Sequence, residues 1–252
     1  MNPVELSEKT ADPVQVVGMS FYFDQLTIER AKELGLNVFE FYGLGRGGVL
    51  GNVDSDVVDR AFTFFHPNTM AFLWARPRQK ADPVATASEH LQQAYAFADR
   101  TFGAVPAEVL ANFASGAHRV VAAVAPGHYA LVDGYRQYPV PENAAHAAYL
   151  GAILLRELRG GAHIDAVKEV GLTPVEACYL QDATIFKLHG YGDDDVPVVN
   201  PALEEKKVEA EEITTRTMAD FFSVLTDEEC QQLADGADSM FSALASPVPV
   251  NG

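Results

Sequence analysis

Helix signals dominate the pattern of apolar and polar positions along the chain. "TIERAKELGL" offers Thr27 as an N-cap and Gly35 as the left-handed residue that closes a helix. "DSDVVDRAFTFF" has Asp54 or Ser55 as its cap and stops before "HPN". "PVATASEHLQQAYAFADRTFG" predicts a longer helix ending near Gly103. "VPAEVLANFASG" opens with Pro106 near the first helical position and closes on Gly116, the Pro-in, Gly-out asymmetry of helix ends. The best strand candidate is "LNVFEFY" (36–42), which is short enough to be helical instead.

"PGHYALVDGYRQYPVPEN", Pro126 to Asn143, is a Gly/Pro/Tyr-rich connector and marks the expected domain boundary. It separates an N-terminal helical domain (1–138) from a winged-helix-like domain with acidic C-terminal helices (139–252). The second half opens with "AAHAAYLGAILLRELR", apolar on more than one face and therefore central. "AHIDAVKEV", Gly171 and "TPVEACYLQDATIF" then read as helix, turn, helix, with a capping box of Thr173 and Glu176 and Pro174 at its start. "HGYGDDDVPVVNP" is a loop whose three aspartates lack the defined cage a hard cation needs, so no metal is expected. Two further helices follow, the last with a Thr226/Glu229 capping box, and the tail "SPVPVNG" reads as frayed. The expected fold class is mainly α, multi-helical, with a winged-helix-like (helix-turn-helix) second half.

Charge changes this picture more than composition does. The formal charge is −17 over 252 residues. Between Asp193 and Asp238 fourteen acidic residues face only Lys206, Lys207 and Arg216, so that segment carries −11. Such a field repels phosphate backbones and anionic membrane surfaces, which argues against nucleic acid and membranes as partners. No window approaches a membrane span, and the polar N-terminus predicts no secretory signal. Cys178 and Cys230 lie far apart and read as reduced, near-core thiols of a cytoplasmic protein.

The same charge argues against a DNA-reading role for the helix-turn-helix. With Gly171 at the turn, Ala177 and Leu180 fall where the second helix packs on the first. That helix presents Glu176, Gln181 and Asp182, and its one cation, Lys187, stands near its end. Major-groove readers need Arg, Lys, Asn or Gln at base edges and basic contacts to phosphate.

The runs "FYGLGRGGVLGNVDSDVVDRAFTFFHP" and "LGAILLRELRGGAHIDAVKEVGL" resemble the two most recognisable blocks of an uncharacterised actinobacterial family of helix-turn-helix, EvbL-like proteins. The resemblance spans roughly Val17 to Gln181. It implies an α-helical fold with a winged-helix-like second half, and no activity. Arg46, Arg156, Glu157, Arg159 and His163 match the family's Arg, Arg-Glu, Arg and His. Leu158, Gly161 and Gly18 stand where that family has His, Asp and His.

"YGLGRGGVLG" contains a literal G-x-G-x-x-G in Gly43, Gly45 and Gly48. A dinucleotide fingerprint needs a helix starting inside it and an acidic residue about twenty positions on. Gly51 and Asn52 break any such helix, and "FTFFHPNTMAF" holds no acid, so the glycines suit close packing and no cofactor is expected.

Candidate chemistry rests on a cationic cluster. Arg156 and Arg159 share roughly one side of a helix, His163 follows a Gly160–Gly161 break, and Arg46 stands in a glycine-flanked turn. Folded together, Arg46, Arg156 and Arg159 would bind a carboxylate or phosphate, with His163 as acid/base and Glu157 orienting it. Alternatively, the arginines complement their helix's C-terminal end and pair with Glu157 or Glu169. His66 and His128 are secondary ligand-binding candidates, and Trp74 is expected in the core. The leading expectation is binding, and conversion if it is an enzyme, of a small anionic or partly apolar metabolite between the halves. The alternatives are a transcriptional regulator and an acidic protein-interaction module. The acidic C-terminal helices are the candidate surface for a homodimer.

Overall fold

The computed structural model describes residues 1–245, and the proline-rich tail "SPVPVNG" lies outside them. Thirteen α-helices and no strand occur among the described residues. In chain order they are α1 (Pro3–Met19), α2 (Gln25–Glu33), α3 (Val38–Gly47), α4 (Ser55–Ala61), α5 (Pro67–Met70), α6 (Pro83–Phe102) and α7 (Ala107–Ala123). Then come α8 (Ala130–Tyr135), α9 (Ala144–Glu169), α10 (Pro174–Gln181), α11 (Ala183–Leu188), α12 (Pro201–Phe222) and α13 (Asp227–Leu244). Among the described residues no helix is long and apolar enough to cross a membrane.

Local chemistry sets most boundaries. Asn2, Asn37, Thr173 and Thr226 each form a reciprocal capping box with Glu5, Glu40, Glu176 and Glu229. Asp24, not Thr27, caps α2, because Thr27 is buried inside the helix. The Asn37/Glu40 box also makes "LNVFEFY" the start of a helix rather than a strand. Helix α7 runs straight through Gly116, since a Cβ there would press on Leu233 of α13 and the missing side chain lets the two helices meet. Likewise α9 continues through Gly160 and Gly161 without a break, so Arg156 and His163 ride on one rigid rod. The connector before α9 itself folds into α8.

Helix α9 is the spine. It packs against α7, α1, α12, α6 and α8, and from Ala147 to Leu155 every residue is buried. A helix apolar all round belongs at the centre, which is where its composition put it. The main core includes Leu6 of α1, Trp74, Phe113 of α7 and Met240 of α13. A smaller core of Ala166, Val167, Leu172, Leu180, Leu203 and Ala210, with Ala177 against it, holds the helix-turn-helix onto α12. Gly171 makes the turn at φ 68°, the left-handed region where only glycine is unstrained.

The glycine-rich segment is helical packing. A side chain at Gly43 would collide with the Leu73 carbonyl, at Gly45 with His90, and at Gly48 with the Pro83 carbonyl. Arg46 accordingly sits in the last turn of α3, not in a loop.

Candidate functional site

Helices α3 and α9 bring an arginine–glutamate–arginine triad together. Arg46 donates from Nε to Glu157 Oε1 at 2.8 Å and from Nη2 to Oε2 at 2.7 Å, a bidentate pair. Arg156 Nη1 donates to Glu157 Oε1 at 2.8 Å. Phenolic oxygens complete the set, with Arg46 Nη1 donating to Tyr42 at 3.1 Å and Arg156 Nη1 to Tyr22 at 3.3 Å. The Arg46 guanidinium lies 4.4 Å from the Phe62 ring centroid, and that of Arg156 lies 5.6 Å from Tyr22. Glu157 is 1% exposed and the arginine side chains 11% and 12%.

Ionisation follows from this arrangement. Burial alone would push the Glu157 carboxyl up, but the two guanidinium charges more than reverse it and hold it below its ordinary value. Burial works against the charge on Arg46 as well, and Glu157 raises it well above normal. Tyr22 is pushed up to about 12, chiefly by burial, and stays a neutral phenol. Two cations therefore share one anion, and the triad carries a net +1 away from bulk water. Arg156 Nε, also buried, has no hydrogen-bond partner.

The triad forms part of the wall of a cavity of about 1350 Å³, larger than the few hundred to thousand Å³ of ordinary small-molecule sites. Arg46, Arg156, Arg159, His163 and Glu157 all line it, and so does His128. Much of the remaining wall is aromatic, including Tyr42, Phe62, Phe64 and Phe65. Phe23, Phe39 and Phe72, each about half exposed, lie at its rim. His66 is elsewhere: its Nδ1 accepts from the Asn68 amide and caps α5.

Within the cavity the roles differ from those the sequence suggests. Glu157 does not orient His163, since both its oxygens are taken by arginines and the residues face different sides of α9. Thr214 of α12 holds His163 instead, with Oγ1 3.1 Å from Nδ1. The Thr214 hydroxyl spends its one proton on the Ala210 carbonyl at 2.7 Å, so it can only accept from His163. This fixes the proton on Nδ1 and leaves Nε2 with a free lone pair. Burial lowers the His163 pKa, with Glu211 pulling it up and Arg159 pushing it down, so the ring stays neutral. Arg159 turns away from Arg156 to Glu211 at 2.7 Å.

Sequence reading missed Tyr22, Tyr42, Thr214 and His189. Only Tyr42 carried a signal, standing four residues before Arg46 on one helix face. His189 lines the cavity and its Nδ1 lies 3.1 Å from the Cys178 sulfur in α10. Burial pushes the thiol up to about 11 and the imidazole down to about 4, so this is a neutral contact and no thiolate nucleophile.

At the surface beyond, α9, Gly171 and α10 form the helix-turn-helix. Two lysines of α12 beside it are occupied: Lys206 donates to the Gly171 carbonyl at 3.0 Å and Lys207 to the Leu180 carbonyl at 2.7 Å, whereas Lys168 in the last turn of α9 is exposed. Gln181, Asp182, Thr184 and Lys187 stand exposed, without a continuous basic stripe. An all-helical chain with this motif defines a helix-turn-helix protein by architecture. A helix-turn-helix family matches the sequence over residues 7–196, and the protein belongs to that family. No curated protein and no solved structure matches the chain.

Proposed function

We propose that the protein binds a small organic anion with apolar or aromatic character in the cavity between α3 and α9. The observation behind this is the buried triad with net +1 charge on an aromatic-lined wall. An unbalanced buried charge is costly, and an anionic guest offsets it. The neutral Nε2 of His163 supplies a hydrogen-bond acceptor, and a proton acceptor if the guest is converted.

The test compares two dyes of similar shape, the anionic 1-anilinonaphthalene-8-sulfonate and the neutral N-phenyl-1-naphthylamine. One-to-one, saturable binding of the sulfonate at least tenfold tighter than the neutral dye is expected, a difference of about 1.4 kcal/mol. Equal affinities, or no binding of either, would overturn the reading.

A second reading has family membership and the Gly171 turn behind it. Here the protein is a transcriptional regulator, the cavity is its effector site, and Gln181, Thr184 and Lys187 meet base edges. Fluorescence anisotropy with duplex DNA at low ionic strength decides it. Binding that weakens steeply with salt is expected of this reading, and its absence with and without a cavity ligand sinks it. Within the family, the two quoted blocks support placement with the actinobacterial EvbL-like members. Clustering of full-length family sequences checks that placement, and a position outside those members would refute it.

A further inference from the structure

Along α9 the cavity meets an ordered stripe. Arg156, Gly160 and His163 are spaced four and three residues apart, so they share one face. The step of seven residues from Arg156 to His163 corresponds to a rise of about 10.5 Å. Arg156, Gly160 and His163 all line the cavity, and nothing stands within 4 Å of the place a Gly160 Cβ would occupy.

That openness separates Gly160 from its neighbour. A side chain at Gly161 would run into the Tyr129 ring, so Gly161 is required by packing. Gly160 has no such reason, and glycine is among the poorest residues for the middle of a helix. Its absent side chain leaves bare helix backbone as a flat floor between an anion-binding end and a hydrogen-bond-accepting end. Aromatic groups flank both ends: Tyr22 beside Arg156, and Phe64 with its ring centroid 5.8 Å from that of His163.

We propose that the ligand lies lengthwise on this stripe, and that it is a flat, elongated aromatic acid. Its anionic group meets Arg156 and Arg46, its rings cover Gly160, and a hydroxyl at its far end donates to His163 Nε2. Gly160 is then a specificity-determining residue, and Thr214 a positioning residue that acts by fixing the His163 tautomer. This rests on the cavity reading above and names the class of its guest.

The experiment uses the full chain and three synthetic probes of about the stripe's length: 4′-hydroxybiphenyl-4-carboxylate, biphenyl-4-carboxylate and 4-hydroxybiphenyl. Calorimetric titration is expected to rank the hydroxy acid tightest, with loss of either polar end weakening binding about tenfold or more. Gly160→Leu puts a side chain onto the floor from a Cβ that meets nothing within 4 Å, and is expected to abolish hydroxy-acid binding while the helical circular dichroism signal is unchanged. Thr214→Val is expected to erase the preference for the hydroxyl, and Thr214→Ser to restore it. If Gly160→Leu binds the hydroxy acid as wild type does, or if the hydroxyl makes no difference in wild type, the stripe assignment is wrong. The sulfonate dye keeps the two ideas apart. Should it bind while the biphenyl probes show no such pattern, the cavity reading survives and the stripe fails; should it not bind, the cavity reading fails first.

Discussion

The middle of α9 and its C-terminal end present different surfaces. Around Arg156 the helix is enclosed by its neighbours, and its charges are answered by buried partners at fixed distances. Around Gly171 the same helix reaches the surface, and nearby charges either cap carbonyl groups or face water. The first region stakes stability on electrostatic matching in a poorly screened environment, whereas the second stakes it on a cap, a turn and a small apolar core. In a protein of net charge −17, the buried guanidinium groups are governed by their immediate partners, which act on them with little screening by solvent.

Breaking the match in the enclosed middle should have the largest effect. Glu157→Ala leaves two buried guanidinium groups facing each other, and is expected to cost about 3–5 kcal/mol in denaturant unfolding. A loss under about 1 kcal/mol would show that water reaches the triad freely. Next come the glycines, which sharpen the contrast between packing and open space. Gly48→Ala drives a methyl into the Pro83 carbonyl and is expected to cost about 1–3 kcal/mol. Gly160→Ala meets nothing and is expected to stabilise by about 0.5–1 kcal/mol. A fall in melting temperature for Gly160→Ala would contradict the open site, and a rise for Gly48→Ala would contradict the packed one.

Acid titration sets the buried region apart further. His90 is 1% exposed, and burial first, then the Arg46 charge, lowers its pKa to about 3. A histidine that protonates far more readily when unfolded contributes full stability above about pH 6.5 and loses it as pH falls toward 3. At pH 5 the loss from His90 alone is about 2 kcal/mol. His189, lowered to about 4 mainly by burial, adds to the same slope. Stability measured from pH 7 to 5 should fall less in His90→Phe than in wild type, and identical slopes would show the ring is not buried neutral. The smallest effect belongs to the surface end: Thr173→Ala removes the α10 cap and should cost about 1 kcal/mol, read as a small drop in denaturation midpoint.

What could be read from sequence tracks how local the cause is. The Thr173/Glu176 and Thr226/Glu229 boxes, the Gly171 turn and the central place of α9 follow from neighbours within a few residues. The fates of Gly116, Gly160 and "LNVFEFY" do not. Gly116 is kept helical by a partner on α13, and the strand-like run at residue 36 is overruled by Asn37 and Glu40. The same divide runs through the candidate site. Arg156 and Arg159 were legible as neighbours at helical spacing, whereas His163 was expected beyond a Gly160–Gly161 break that the continuous α9 does not have. Thr214, which holds His163, lies 51 residues away, and Tyr22 lies 134 from the arginine it meets. No spacing rule reaches that far.

The enclosure of α9 has a consequence in time as well as in energy. Backbone amides between Ala147 and Leu155 lie in a stretch where every residue is buried, so solvent deuterium can reach them only when the whole helical assembly opens. Beyond Gly160 the rod gains water-facing positions at Asp165, Lys168 and Glu169. Exchange should therefore run as a gradient along a single uninterrupted helix, slow at the charged cavity wall and progressively faster toward the turn.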